Sequence, residues 1–266
     1  MLEVKKLGAP AQIMMGRDID GTVYYWTAAY LVDGLLIDTG CSYTAPELIE
    51  YLQDKEVYQV VNTHHHEDHV GGNALLQKEF SLDIFAHPLA VSLINKKMDL
   101  HQYQELVWGY PEPTDVKPIR DQIKTEHYIF QVIETPGHSP DHLCLYEPEQ
   151  GWLFSGDIFV AEDQKVFRVD EDIYGIIDSL QKIIQMESKE LTLFTSIGKI
   201  FPEGKSSILR FLAHLEEISV QAETLASTGL SAEEIRNNIF LRESSMAPLT
   251  GGHYSIQNLV DKLLTR

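Results

Sequence analysis

Residues Thr63 to Gly72, THHHEDHVGG, place four histidines and two acids in six consecutive positions. Imidazole nitrogens and carboxylate oxygens are the donors that hold zinc, iron or manganese, so metal-assisted hydrolysis is the first chemistry to consider. The run VYQVVNT delivers the cluster at the C-terminal end of a buried strand. In extended backbone alternate residues share a face, so His64 and His66 point one way and His65 the other. The chain then turns at Glu67-Asp68, and Val70-Gly71-Gly72 permits the bend and close approach that begin the next helix. The expected division is His64 and His66 toward one ion and Asp68 and His69 toward a second. His65 and Glu67 are bystanders, or groups that support a ligand without touching the ion.

Two imidazoles leave an ion incomplete, because a catalytic zinc usually has three protein ligands and a water. Further donors are expected at other strand ends. TPGHSPDH places His138 after the strand YIFQVIE, turned by Pro136-Gly137. FSGDIFV places Asp157 at the end of another strand, after Ser155-Gly156.

These strand ends need a scaffold, and its elements are legible. YLVDGLLIDTG reads as a hairpin with a tight turn at Asp33-Gly34. TAPELIEYLQD reads as a helix opening at Thr44, with Pro46 in its first turn and Glu47 three residues after the cap. ALLQKEF is a helix and SLDIFAH leads to another strand. Residues 96 to 127, with Pro111, Pro113 and Pro118, read as an irregular surface excursion. Three strands follow in YIFQVIETPGHSPDHLCLYEPEQGWLFSGDIFV, then a helix through IYGIIDSLQKIIQM and a strand LTLFTS. The rest is mainly helical: SSILRFLAHLEEISVQAETLA, then SAEEIRNNIF with a capping box at Ser231 and Glu234, then SIQNLVDKLL. Strands dominate both halves and each half ends in helix, which predicts two sheets packed face to face with helices outside.

Composition bounds the function. A chain of 266 residues, 44% apolar and 23% charged, has an ordinary globular balance and buries a substantial core. Lys and Arg number 21 against 40 Asp and Glu, for a formal net charge of −19. Binders of nucleic acid or anionic membranes neutralise phosphates with basic side chains, so neither is an expected partner. The N-terminal MLEVKKLGAP lacks the apolar stretch of a secretory signal, and a cytoplasmic protein is expected. Cys41 and Cys144 form neither a disulfide framework nor CxxC spacing. Cys144, inside HLCLY, reads as a small buried hydrophobe, and Cys41, after a turn, as the more exposed of the two.

Taken in order, H-x-H-x-D-H followed by Gly-Gly, then T-P-G-H-S, then F-S-G-D, resembles the metallo-β-lactamase superfamily. LLIDTG is similar to that family's first motif. The resemblance runs from about residue 20 to 160, and the four motifs in order are highly specific. It implies an α/β (α+β) fold, a four-layer αββα sandwich of two mixed β-sheets with outer helices. One domain over residues 1–266 is expected, with a helical C-terminal segment from about 203 to 266. Carried over residue by residue, His64, His66 and His138 would hold one ion, Asp68 and His69 would help hold a second, and Asp157 would bridge them. Asp38 would orient the motif loop without being a ligand. Many members carry a last histidine in a Pro-Gly-His-Gly turn. Here Thr195-Ser196-Ile197-Gly198 puts Ile197 in that place, and His253, in LTGGHYS, is the expected final ligand of the second ion. His142 is expected to make a structural hydrogen bond. His87 is expected near the rim or buried with a partner, and His101, His127 and His214 are expected to face solvent. Tyr24, Tyr25, Trp26, Tyr103, Trp108 and Tyr110 fall in expected loops, where some would wall a substrate pocket.

The resemblance implies two divalent ions, zinc by ligand type, with iron or manganese as alternatives. A hydroxide held between ions about 3.5–4 Å apart would attack an acyl carbon, with Asp68 orienting it and passing its proton. The acidic charge argues against a nuclease, and the missing signal against a secreted antibiotic-resistance lactamase. A helical C-terminal segment beginning LSAEEI is similar to that of lactonase-like and thioesterase-like members. The expected function is therefore hydrolysis of a lactone or thioester of a small molecule. A non-haem iron redox enzyme of the sulfur dioxygenase kind, a phosphodiesterase and a non-catalytic binding module are the alternatives. The exposed helices are candidates for a homodimer contact.

Overall fold

Asp33 and Gly34 both take positive φ, 49° and 78°, and join Thr27–Val32 to Leu35–Ile37. Two left-handed residues in succession are what an Asp-Gly hairpin supplies. The structure, a computed structural model, describes residues 1–188 and 190–265. This hairpin lies in a seven-stranded sheet ordered Leu2–Lys6, Ala11–Met15, Thr27–Val32, Leu35–Ile37, Gln59–Val61, Asp83–Ala86, Lys117–Pro118. Its first four strands pair antiparallel and the rest parallel. A six-stranded sheet runs Gln122–Lys124, Ile129–Glu134, Leu143–Glu147, Trp152–Gly156, Thr192–Thr195, Ile200–Phe201, with one parallel pair where Trp152–Gly156 meets Thr192–Thr195.

Period-two alternation decides which side chains each face buries. Ala28, Tyr30, Val32, Leu35, Ile37 and Val61 meet Phe130, Leu143, Leu145, Phe154 and Phe194 between the sheets. Ala29, Leu36 and Val60 point the other way, against Leu48 and Leu52 of the helix Ala45–Leu52 and Leu76 of Asn73–Phe80. On the second sheet Cys144 faces outward from between Leu143 and Leu145. It packs against Ile173–Gln185, Gly204–Ser227 and Ile256–Leu264. Gly204–Ser227 buries Phe211, Leu215, Ile218 and Ala222, a helical stripe at four- and three-residue steps. The layers are therefore helix, sheet, sheet, helix. The capping box forms: Ser231 N donates to Glu234 Oε2 at 2.8 Å, and Glu234 N to Ser231 Oγ at 3.4 Å. Arg266, at the end of the expected helical segment, lies outside the described residues. No helix among the described residues is long and apolar enough to cross a membrane.

Four local expectations need correction. Thr44 precedes the helix Ala45–Leu52 but its side chain does not cap it, because Thr44 Oγ1 turns back to donate to Cys41 O at 3.2 Å. Cys41 is fully buried, under the packed turn that this bond closes. Residues 96–127 are not all irregular: Gln102–Val107 is a helix with a capping box between His101 and Gln104, too short to show a periodic pattern. His214 is half-buried on Gly204–Ser227, with Nε2 enclosed and lacking a hydrogen-bond partner.

Candidate metal centre

The strand Gln59–Val61, paired parallel on both sides, aims its C-terminal end at the sandwich edge. Asp38, one residue past its neighbour Leu35–Ile37, adopts φ 60°, an unfavourable value for a non-glycine residue. The conformation is held by three bonds. Thr63 N donates to Asp38 Oδ1 at 2.8 Å, Thr63 Oγ1 to Oδ2 at 2.8 Å, and His69 Nδ1 to Oδ2 at 2.8 Å. Thr63 therefore fixes where His64 starts. The short helix Glu67–Val70 then swings Asp68 and His69 back beside it. Gly71 lets that helix sit against the preceding turn, since a Cβ there would lie 2.3 Å from Ser42 N and 2.4 Å from Cys41 C.

The other donors arrive from the second sheet. His138 sits in the turn after Ile129–Glu134. Asp157 follows Trp152–Gly156, and its N–H donates to His142 Nε2 at 3.0 Å. A His142 nitrogen that accepts leaves the ring proton on Nδ1, which donates to Thr135 Oγ1 at 2.8 Å. Burial pushes His142 down to about 3, so the ring is a neutral strut. Gly156, at φ 49°, admits that ring, because a Cβ would stand 2.5 Å from His142 Nε2.

Six side chains now converge. His64 Nε2 lies 2.8 Å from His66 Nδ1, and His138 Nε2 lies 2.9 Å from the same atom. Asp157 turns Oδ1 to His69 Nε2 at 3.2 Å and Oδ2 to His138 Nε2 at 3.5 Å. Asp68 Oδ2 stands 3.8 Å from His69 Nε2. Donor atoms of His64, His66 and His138 lie within 4.8 Å of one another, as do those of His64, His69 and Asp157. His64 belongs to both groups, which makes them two halves of one site.

The far nitrogens show whether a cation fits. His138 Nδ1 bonds Glu171 Oε1 at 2.6 Å, His69 Nδ1 bonds Asp38, and His64 Nδ1 bonds Thr63 Oγ1 at 3.1 Å. With carboxylates taking the outer protons of His138 and His69, their inner Nε2 atoms would present lone pairs to a cation that displaces the inner proton. These atoms face one another and a carboxylate. Two buried atoms, His69 Nε2 and Asp157 Oδ1, have no hydrogen-bond partner although they face each other. Buried polar atoms are rarely left so, and a cation between them satisfies both. The charges agree. Burial, then cationic neighbours, drive His64 and His66 well below the usual imidazole value, leaving them neutral. Burial pushes Asp68 up to about 7, against the pull of His69. Burial also opposes the ionised form of Asp157, but His69 and His138 overcome it and hold that carboxyl well below its usual range. The donor set fits a divalent pair, with His64, His66 and His138 on one side and His69, Asp157 and Asp68 on the other.

His65 points away, as alternation predicts, its Nδ1 on Asp141 Oδ1 at 2.8 Å. His87 is buried and caps Pro88–Ile94 through Leu89 N, with Glu134 Oε1 3.3 Å from Nε2. His253 falls outside both groups of converging donors. Its Nδ1 is hydrogen-bonded to Tyr103 Oη and its Nε2 lies 3.9 Å from Asp170 Oδ1. The turn carrying Ile197 packs beside the centre, Ser196 N donating to Gly156 O at 3.3 Å. His101 is exposed as expected, yet its ring lies 4.3 Å from that of His253.

Two cavities adjoin these side chains. A polar one of about 530 Å³ is lined by His66, Lys96, Lys97, His101, Arg168 and His253, among others. An apolar one of about 410 Å³ is lined by Tyr24, Tyr25, Tyr103, Trp108, Met246 and Leu249, among others. Trp26 and Tyr110 line neither: Trp26 packs toward Gly16, and Tyr110 carries the Lys97 ammonium 5.2 Å over its ring.

Glu171 is the principal residue that sequence reasoning missed. It sits in RVDEDIYG between two other acids, and only the fold distinguishes the one that reaches His138. Arg168 N donates to its second oxygen at 2.6 Å. Gln104, whose Nε2 donates to Glu67 Oε1 at 2.7 Å, was hidden in the segment read as irregular.

Comparison with known proteins agrees with this geometry. A family model described as the metallo-beta-lactamase superfamily matches residues 27–193. A hydroxyacylglutathione hydrolase from Pelagibacter ubique is 29% identical over 76% of this chain and 81% of its own length. The chain spans only 59% and 60% of the length of two other curated relatives. The metallo-beta-lactamase family protein TTHA1429 from Thermus thermophilus shares the fold at TM-score 0.66, 17% identity, over 95% of this chain and 90% of that one. TTHA1623, solved in a di-iron-bound form, is 27% identical at TM-score 0.58 over 70% of this chain and 94% of its own.

Proposed function

The chain belongs to the metallo-beta-lactamase superfamily, and on that premise we propose that it is a metal-dependent hydrolase that uses two divalent ions to cleave a lactone or thioester of a small molecule. The observation that carries the dinuclear reading is Asp157, whose two oxygens face His69 and His138 separately, at 3.2 and 3.5 Å. A carboxylate in that attitude would give one oxygen to each of two ions. When bound, such a pair supplies a water nucleophile at neutral pH and a Lewis acid for a carbonyl oxygen.

The protein's own part is positioning. Asp38 and Glu171 lock the His69 and His138 rings by their outer nitrogens, and Thr63 does the same for His64. Asp68, 3.8 Å from His69 Nε2, would help hold the second ion, orient the nucleophile and accept its proton at a carboxylate oxygen. The polar cavity beside His66 carries Lys96, Lys97 and Arg168 together with Glu67, Asp99 and Asp170, with Arg168 held on Asp170 by two bonds of 2.9 Å, so a substrate there meets a lining of mixed charge. The name of the Pelagibacter relative supports a thioester, and the di-iron form of TTHA1623 favours iron as the alternative to zinc.

Elemental analysis of protein purified without added metal, followed by a panel of lactones and thioesters, tests the reading. About two equivalents of zinc or iron per chain, with turnover abolished by chelation and restored by metal, are expected. Metal below one equivalent in active protein, or oxygen uptake in place of hydrolysis, would refute it.

A further inference from the structure

The turn 195–199 is tied to both sheets. From the first sheet Ala28 N donates to Ser196 O at 2.5 Å, Tyr30 Oη to Thr195 O at 2.7 Å, and Gln12 Nε2 to Gly198 O at 2.8 Å. From its own side Ser196 N donates to Gly156 O at 3.3 Å, next to the register pair of Gly156 and Thr195. These bonds fix Ser196 beside both carboxylates of the second ion. Gly156 directly precedes Asp157. Thr27, directly before Ala28, donates its hydroxyl to Asp68 O at 3.2 Å.

The Ser196 hydroxyl is not otherwise engaged. Ser196 is 4% exposed, and its Oγ has no hydrogen-bond partner, in common with His69 Nε2 and Asp157 Oδ1. Its neighbours in the turn offer the centre nothing polar: Thr195 Oγ1 donates to Lys199 O at 2.9 Å, and the Ile197 side chain is hydrocarbon. A cation seated between His69 Nε2 and Asp157 Oδ1 takes one lone pair of that oxygen and leaves the other for a donor. Burial works against the ionised Asp157 carboxyl, His69 and His138 overcome it, and the Ser196 hydroxyl adds to their effect.

We propose that Ser196 is a positioning residue for the second ion, its hydroxyl donating to Asp157 Oδ1 and keeping that oxygen turned to His69. The second ion depends on such a hold more than the first. Three imidazoles, of His64, His66 and His138, converge on the first, whereas the second has the one imidazole of His69 with the carboxylates of Asp157 and Asp68. The His69 ring is locked by Asp38 through its outer nitrogen. An aspartate carboxylate has a broad torsional well about its Cβ–Cγ bond, so the oxygen it gives to each ion is fixed only where a neighbour holds it. Ser196 is that neighbour on the side of His69.

The inference rests on the dinuclear reading and is tested apart from it. Metal-stripped protein is titrated with Co²⁺ by calorimetry and visible absorption, and with zinc against a chromophoric chelator. The parent should take two ions. Ser196→Ala should take the first as tightly as the parent and the second about 10–100-fold more weakly, the range found when a group supporting a metal ligand is removed. Ser196→Thr, which keeps a hydroxyl, should hold the second ion nearly as well as the parent. The unfolding midpoint of each metal-free variant checks that it folds. A second ion held as tightly in Ser196→Ala as in the parent, an equal weakening of both ions, or the same loss in Ser196→Thr as in Ser196→Ala overturns the proposal and leaves the dinuclear reading standing. A parent that takes a single ion overturns both.

Discussion

Glu171→Gln separates a positioning carboxylate from a bystander. Glu171 is buried, accepts from His138 Nδ1 at 2.6 Å through one oxygen and from Arg168 N at 2.6 Å through the other. A glutamine keeps the first bond through its carbonyl but makes it neutral. Hydrogen bonds to a charged group are worth about 1.5–3 kcal/mol and neutral ones about 0.5–1.5, so about 1–1.5 kcal/mol of support for His138 is lost. That is about tenfold in metal affinity, the lower end of the roughly 10–100-fold range seen when the outer partner of a ligating imidazole is removed. The amide cannot accept from Arg168 N, so about 1–3 kcal/mol of folding stability should go with it, whether or not metal is present. Competition against a chromophoric chelator reads the first quantity, and urea unfolding of metal-stripped protein reads the second. Metal affinity within twofold of the parent, alongside the expected loss of stability, would show that Glu171 supports the fold without tuning His138.

Three further outcomes follow from the same geometry. Asp157→Asn should lose more activity than the roughly 10–100-fold cost of an outer partner and drop the bound metal from two equivalents toward one, both read on the same purified sample. Gly71→Ala forces a Cβ to within 2.3 Å of Ser42 N and should cost at least about 1–3 kcal/mol, visible as a thermal midpoint several degrees lower. Glu243 gathers Ser244 N, Ile256 N and Gln257 N on its carboxylate. Burial works to raise its pKa, but these bonds and Arg236 outweigh that and lower it below the ordinary value of 4.5. A depressed folded value stabilises above the unfolded one and loses that contribution as pH falls, so the stability gap between parent and Glu243→Gln should be full at pH 7 and close below about pH 4.5.

Much of this was legible in the residues alone, for identifiable reasons. His64, His66 and His65 separated correctly because strand alternation is a local rule that tertiary packing did not disturb. Asp157 stands one step past its strand and His138 four, each directly after a glycine that turns the chain, which is why both drew notice as candidate donors. Asp38 and His142 make bonds of the kind expected of them. What the sequence could not show were partners chosen by the fold. Nothing local distinguishes Glu171 from Asp170 and Asp172, and only packing of the loop before Ile173–Gln185 against the Gly137 turn brings it to His138. The helix Gln102–Val107 was missed because six residues are too few for a periodic signal, and with it went the Tyr103–His253 bond. His253, chosen by its glycine neighbours, lies on the cavity wall with Tyr103, because the turn before Ile256–Leu264 brings it beside Asp170.

The most direct test of the central claim is anomalous diffraction from crystals of the protein purified with its own metal. Two peaks are predicted, one among His64 Nε2, His66 Nδ1 and His138 Nε2, and one beside His69 Nε2 and Asp68, with one oxygen of Asp157 turned to each. Well-ordered crystals of active enzyme with no anomalous density between these side chains, or with a single peak that Asp157 does not touch, would contradict the account.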